Sequence, residues 1–439
     1  MVRITRRKIR EKEKGINFFE EFIRIKKHFF HDLEKWMKRV KDPRHQSYIK
    51  YETDSLLFPM IMKNVCGIRS MGNMTEKFNT EECIGNMAAA LGNETLEELP
   101  HYDTINNFLS RLDPAEMERI RDRMIRELFR KRSLEGFRLF GKYWCIAVDA
   151  TGLFSFSERH CEHCLKAEHK SKETGEVEKT VYYHNVLEAK LIAGDMVFSI
   201  ATEFIENEDE NVSKQDCELN AFKRLAAKLK SKYPKLPVCL LGDSLYACEP
   251  VFEICKENKW RYLFRFKDGR IKSVAEEFRT IKGLEEKQKE NGTWVNEIDY
   301  NQRPVNLIEA EEEAKDRDKK AFVFITDIRI TERNAGEIVR AGRSRWKIEN
   351  EGFNNQKTNI GSIEHLSSRN YNAMKNHYLI VQIAEILRQL YVKGADAIKD
   401  LNKGIKEISS SLLESLRTRT LTNIEDIFNP EKRIQIRFS

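Results

Sequence analysis

No stretch of the 439 residues stays apolar for long. The longest such run, Tyr378-Leu379-Ile380-Val381-Gln382-Ile383-Ala384, falls far short of the ~20 residues that a membrane-crossing helix requires, which excludes a helical span. A secretory h-region is missing from the N-terminal stretch, and the nine cysteines, an odd number, are scattered through expected strands and helices (Cys145, Cys239, Cys255). That usage excludes a secreted disulfide framework and leads us to expect reduced thiols in a cytoplasmic protein. Disorder is excluded by composition, with 40% hydrophobic and 33% charged residues. An acidic excess is also missing. The net charge is +7, and residues 1–50 carry 16 Lys+Arg against 7 Asp+Glu, so the basic surplus is N-terminal. Such a segment reads either as an electrostatic contact for a polyanion or as a solvated helix face.

The chain divides by pattern. Residues 1–135 read as a helical domain. Within it Asp113-Pro114-Ala115-Glu116 combines an N-cap, a first-turn proline and the acid of a capping box ahead of Met117, Ile120, Met124, Ile125 and Leu128. Asp103 or Thr104 is expected to cap the short helix that carries Ile105, Phe108 and Leu109. From Tyr143 strands take over. Tyr143–Val148 ends at Asp149, and 181–187 and 196–200 flank a Gly194-Asp195 turn as a hairpin. A helix is expected around 214–232, a strand at 238–242 ending at Asp243, a helix at 249–259 and a strand at 262–266. This order is that of a ribonuclease-H-like α/β core over 140–266. A polar, β-rich insertion at 267–318 interrupts it, with short strands near 292–298 and 305–309 forming an inserted sheet. The core resumes over 319–395 with a strand at 321–326, a helix from Thr331 to Gly361 and an amphipathic core helix at 370–393. A helical tail, 396–439, is left for dimer contacts.

Three acids stand out. Asp149 and Asp243 close hydrophobic strands, and Glu349 lies within Arg343-Ser344-Arg345-Trp346-Lys347-Ile348-Glu349-Asn350-Glu351-Gly352-Phe353-Asn354-Asn355-Gln356-Lys357. Carboxylates are hard oxygen ligands suited to Mg²⁺ or Mn²⁺, and two such ions ~3.5–4 Å apart activate a nucleophile and stabilise a leaving oxygen at a phosphodiester. Arg345, four residues before Glu349, shares its helical face and is placed to steady that carboxylate or to touch a phosphate. Glu351 points about 160° away and cannot share the site. Ile348 and Phe353 read as core contacts, whereas Trp346 suits either the core or stacking on an unpaired base.

Val148-Asp149-Ala150-Thr151-Gly152, Leu241-Gly242-Asp243-Ser244-Leu245-Tyr246 and Arg345-Trp346-Lys347-Ile348-Glu349 resemble, in order and surroundings, the three acidic motifs of DDE transposases from bacterial insertion sequences. The subgroup is the one with a β-rich insertion between the second Asp and the Glu, and the similarity covers roughly residues 95–395. The resemblance implies cut-and-paste DNA transposition, with Asp149, Asp243 and Glu349 as catalytic metal ligands. It also implies double-stranded DNA as partner, at inverted-repeat ends and at the target, and a homodimer in a synaptic complex near the nucleoid. Arg343, Arg345, Trp346, Lys347 and Lys357 are the implied DNA contacts. Two departures are visible: the signature's Tyr is Gly342 here, and its Lys position is Gln356, with Lys357 one residue late. Two other readings remain, a non-catalytic DNA-binding regulator and a plain metal-dependent nuclease. Three mutually repelling acids argue against the first, and the basic N-terminus and large insertion argue against the second.

One further cluster is His160-Cys161-Glu162-His163-Cys164, followed by His169 and His184. Cys161 and Cys164 have zinc-knuckle spacing, which His163 or His169 could join. A single pair supplies too few ligands, so a polar loop is the preferred reading over structural Zn²⁺. His184 reads as a packed or DNA-contacting residue.

Overall fold

The computed structural model describes residues 13–158, 160–209, 212–284, 292–313, 319–421 and 436–438. The chain forms two compact units, residues 1–134 with 354–439, and residues 135–353. The N-terminal part is helical as expected: α1 (Phe18–Phe29), α2 (Leu33–Lys38), α3 (Thr53–Val65), α4 (Met71–Phe78), α5 (Glu81–Leu91), α6 (Tyr102–Arg111) and α7 (Pro114–Lys131). In α7 the Asp113 side chain accepts from Ala115 N at 2.9 Å and Pro114 sits in the first turn, while Met117, Ile120, Met124, Ile125 and Leu128 are buried. The expected reach of Glu116 back to the cap is replaced by a bond to Arg119 on the next turn. The cap of α6 is His101, which accepts from Asp103 N at 3.3 Å, rather than Asp103 or Thr104. Six of the 16 basic residues of the N-terminal stretch, Arg3, Arg6, Arg7, Lys8, Arg10 and Lys12, lie outside the described residues.

Among the described residues, the second unit is built on a nine-stranded sheet. Its elements are β1 (Trp144–Phe156), β2 (Leu165–Lys170), β3 (Val177–Ala193), β4 (Met196–Ile205), α8 (Glu218–Lys232), β5 (Val238–Gly242), α9 (Glu249–Asn258), β6 (Arg261–Phe266), α10 (Lys272–Leu284), β7 (Thr293–Tyr300), β8 (Arg303–Glu313), β9 (Lys319–Thr326) and α11 (Glu332–Ser344). Strand β3 is antiparallel to both β1 and β4, whereas β5 is parallel to β1 and to β6. The sequence β4-β3-β1-β5-β6 with those directions is the ribonuclease-H-like arrangement. The β3–β4 hairpin turns on Gly194, whose positive φ of 61° suits glycine and whose absent Cβ would lie 2.7 Å from the Phe137 ring.

Two expectations need correction. The strands of the insertion do not stand as a separate sheet. They form the ladder β7-β8-β9, and β9 pairs with β6, so the insertion prolongs the core sheet. The region before them, read as lacking helical periodicity, contains α10. Its Val274, Ala275 and Phe278, with Ile271 just before it, follow a helical spacing and are buried, a signal obscured by the charged residues between them.

After α11 the chain does not continue as one α-helix. Residues 348–353 are wound as a π-helix, followed by α12 (Asn354–Thr358), α13 (Tyr371–Gly394), α14 (Asp396–Lys399) and α15 (Ile405–Thr418). The helix α13 was expected to complete the ribonuclease-H-like core, but it belongs to the unit of the N-terminal helices. It is buried on nearly every side, polar residues such as Asn376, Gln382, Glu385 and Arg388 included, so it needs enclosure with bonding partners rather than a single face to cover. Helices of that unit supply the enclosure: Asn376 Nδ2 donates to the carbonyls of Leu109 (2.9 Å) and Leu112 (2.8 Å). The expected tail is tied down too, with Asn86 Nδ2 donating to Leu416 O at 2.8 Å.

Gly342 explains one departure from the family signature. A Cβ built there would lie 2.7 Å from the Phe324 ring of β9, so α11 can lie close on the sheet only without a side chain at that position. Restoring the signature with Gly342→Tyr should therefore destabilise the protein by about 1–3 kcal/mol. Denaturant titration of wild type and variant checks this, and an unchanged midpoint would mean that α11 can withdraw from Phe324 without loss.

Candidate active site

Side chains on β1 and β5 alternate between the two faces of the sheet. On one face Cys145, Ala147, Cys239 and Leu241 are buried in a core shared with Ile338 of α11 and with Ile348 and Phe353 of the π-helix. The parallel ladder pairs Cys145 with Cys239 and Ala147 with Leu241. Two residues further on the same face come Asp149 and Asp243, so the last members of two neighbouring apolar rows are carboxylates. Asp149 was expected to end its strand. Instead β1 continues to Phe156, and it is the β1–β5 pairing that stops before the acid.

Asp243 begins a short 3₁₀ turn, Ser244–Tyr246, and its Oδ1 accepts from Leu245 N at 2.7 Å. Gly242 is required just before it, because a Cβ there would meet the Tyr246 ring at 2.8 Å. The third acid arrives from above the sheet. Arg345 Nη1 lies 3.0 Å from Glu349 Oε1 and 3.4 Å from Asp149 Oδ2, so a single guanidinium nitrogen holds both carboxylates. Its side chain is 10% exposed, against 47% for Glu349. The π-winding around Glu349 takes up one residue more than an α-helical turn, and such local insertions are frequent at functional sites. One residue is also the amount by which Lys357 trails the family signature.

A fourth carboxylate, missed in the sequence, shares the site. Glu218 opens α8 and accepts a hydrogen bond from the buried Tyr246 hydroxyl at 2.6 Å. Burial and repulsion from Asp243 raise its pKa, while the bond from Tyr246 lowers it. Asp149 reports the crowding most clearly. Burial pushes its pKa up to about 7, with Glu349 and Glu218 adding repulsion and Arg345 opposing it. The donor chemistry is that of a divalent-cation site, although the carboxylates are not drawn within 4.8 Å of one another. The groups are oxygen ligands, and the compensating cation recorded beside Asp149 and Glu349 is Arg345.

The remaining expected contacts are distributed as follows. Trp346 is 50% exposed, which removes it from the core, whereas Ile348 and Phe353 are buried as expected. Lys347 Nζ donates to Gly194 O (2.8 Å) and lies 2.9 Å from Asp195 Oδ1, which ties the helix to the β3–β4 turn. Arg343 lies over the Phe322 ring, as does Arg265. Lys357 belongs to the other unit and pairs with Glu364 at 2.8 Å. Beneath the π-helix Lys190 is fully buried, 4.0 Å from Glu188 and over the Phe353 ring.

A ribonuclease-H-like sheet with carboxylates on two adjacent parallel strands and a third on the covering helix defines a class of enzymes acting on phosphodiesters through divalent metal ions. The model of the transposase DDE domain matches residues 197–387, and that described as DDE_Tnp_1-associated matches residues 35–123; together they span more than half of the chain. The chain belongs to the DDE transposases. The matched spans contain Asp243 and Glu349, while the place of Asp149 rests on the strand register. No curated protein matches the chain. Among solved structures, a piggyBac transposase synaptic complex with hairpin DNA aligns over 96% of this chain and 86% of that chain, at 12% identity and a TM-score of 0.41.

Two outcomes follow. The pKa of Asp149 in the folded protein, about 7, lies above its ordinary 3.8. Its stabilising contribution is therefore complete below about pH 4 and is lost as the pH rises through about 7. Without added divalent cation, wild-type melting temperature should fall from pH 5 to pH 8, and Asp149→Asn should flatten that slope and be the more stable protein at pH 8. Equal slopes would place the strain elsewhere. Glu218→Gln, which removes one source of repulsion, should move the pH midpoint of Mn²⁺ binding to lower pH, as read by calorimetry at several pH values. An unmoved midpoint would exclude Glu218 from the site.

Proposed function

We propose that this transposase performs cut-and-paste transposition, cleaving DNA at the inverted-repeat ends of its element and joining the freed 3′-hydroxyl to target DNA in the same site. The observation that carries this reading is the grip of Arg345 on both Asp149 and Glu349, beside the row that ends in Asp243. Asp149 and Asp243 would hold Mg²⁺ or Mn²⁺, with Glu349 completing one of two ions. When bound, such ions activate the attacking oxygen and neutralise the leaving one. The protein's own part is to hold the acids on a rigid sheet, to offset with Arg345 part of the burial that disfavours ionised Asp149, and to turn Arg345 from carboxylate to phosphate as the charge at the site changes.

The DNA path suggested by the surface runs along the outer side of α11 and the π-helix. There a groove of about 560 Å³ is lined by Arg340, Arg343, Trp346, Lys347 and Asn350 against Phe322 and Phe324. Cations serve the backbone, and an exposed indole suits an unpaired base at a cut end. A homodimer, with one active site for each element end, is the assembly we propose.

The test is cleavage of a DNA fragment carrying the repeats that flank the gene. Wild-type protein with Mg²⁺ or Mn²⁺ should cut at the repeat ends. Asp149→Asn and Glu349→Gln should lower that rate by more than about 100-fold while still binding the fragment. Trp346→Ala and Arg343→Ala should weaken binding, and the arginine change should reduce the salt dependence by roughly one phosphate. Metal-dependent cutting without preference for the repeats would instead indicate a plain nuclease.

A further inference from the structure

Among the described residues, Cys161, Cys164 and His184 are the group of His, Cys, Asp and Glu whose donor atoms all lie within 4.8 Å of one another; the carboxylates of the acid site are spread more widely. Cys161 Sγ is 3.6 Å from Cys164 Sγ and 3.4 Å from His184 Nε2, and Cys164 Sγ is 3.2 Å from the same nitrogen. The sulfur pair is too far apart for a disulfide, in which S–S is about 2.05 Å. The triangle instead has the size of one face of a tetrahedral metal site. With Zn–S near 2.3 Å and Zn–N near 2.0–2.1 Å, the ideal edges are about 3.8 Å (S···S) and about 3.6 Å (S···N). A point about 1 Å above the plane of the three atoms lies about 2.2 Å from each of them.

The donors are held in place before any ion arrives. Cys164 N donates to Cys161 O at 3.2 Å, the turn expected of a knuckle. Asn207 then fastens the loop from outside: its Nδ2 donates to Cys164 O at 2.9 Å and its carbonyl pairs with His163 Nδ1 at 3.0 Å. His184 is 3% exposed on β3, with Phe154 set edge-on against its ring at 5.6 Å. Supporting bonds of this kind fix ligand orientation in metal sites. Cys161 is partly exposed, so the fourth direction opens toward solvent. Two thiolates and an imidazole suit Zn²⁺, whereas Mg²⁺ and Mn²⁺ prefer oxygen. The loop reading preferred from sequence counted one Cys pair and looked for partners at His163 and His169. The third donor is His184, which the β2–β3 hairpin brings back beside the pair.

We propose that Cys161, Cys164 and His184 bind one Zn²⁺ per chain through three protein donors, with water in the fourth position. The ion clips the β1–β2 connection to β3 four residues before Glu188, the residue paired with Asp149 across the β1–β3 ladder. This site is chemically separate from the carboxylate site and stands whether or not the proposed reaction is correct.

The test is metal analysis of the purified full-length protein by mass spectrometry, after expression with zinc supplied. About one equivalent of zinc is expected in the wild type and in Asp149→Asn, and less than a tenth of an equivalent in Cys161→Ser and in His184→Ala. Cobalt substitution of the wild type should give the thiolate-to-metal charge-transfer band, a reading that does not depend on the variants folding. Less than half an equivalent in the wild type, an absent cobalt–thiolate band, or zinc that stays in Cys161→Ser and leaves with Asp149→Asn would each overturn the proposal.

Discussion

Carboxylates repel one another, and the centre of this enzyme depends on a sheet that forces them together. Asp149 and Asp243 cannot separate, because each is the next residue on its face after two buried ones, Cys145 and Ala147 on one strand, Cys239 and Leu241 on the other. Both strands are buried on both faces, so sliding either by one residue would exchange the rows that face the two sides and lose the Cys145–Cys239 and Ala147–Leu241 matches. The hydrophobic ladder therefore holds the acids in a position that their charges oppose. Burial raises the pKa of Asp149, and repulsion from Glu349 and Glu218 adds to it.

Other features of the second unit follow from managing this charge. Arg345 supplies the compensation, and it can do so only if the helix carrying it lies close on the sheet. Gly342 permits that approach to Phe324, and Lys347 secures the helix to the Gly194-Asp195 turn. The π-winding presents Glu349 beside Arg345 while Ile348 and Phe353 remain in the core. Glu218 adds a carboxylate but is steadied by Tyr246, whose ring is in turn the reason that position 242 lacks a side chain. A divalent cation would find a site already strained by unbalanced negative charge, with an arginine to displace rather than bonds to build.

Much of this could be read in the residues. The order of strands along the chain, the β3–β4 hairpin and the acids Asp149 and Asp243 follow from short apolar runs ending in Gly or Asp, signals local enough to survive without knowledge of packing. What was not legible depended on contacts distant in sequence. Glu218 looks like any first-turn glutamate until Tyr246 and Asp243 are folded against it. The burial of α13 on all sides depends on the helices around it, so its apolar spacing was taken for a single core-facing stripe. His184 lies 20 residues beyond Cys164 and joins it only through hairpin register. The π-winding has no signature beyond Gly352 and the late Lys357.

The most direct measurement is a crystal structure of the protein soaked in Mn²⁺, with the anomalous signal used to place the metal. The account predicts Mn²⁺ bound to Asp149 and Asp243, with Arg345 rotated away from Asp149. Mn²⁺ bound elsewhere, or an Arg345 still bridging Asp149 and Glu349 in fully soaked crystals, would contradict it.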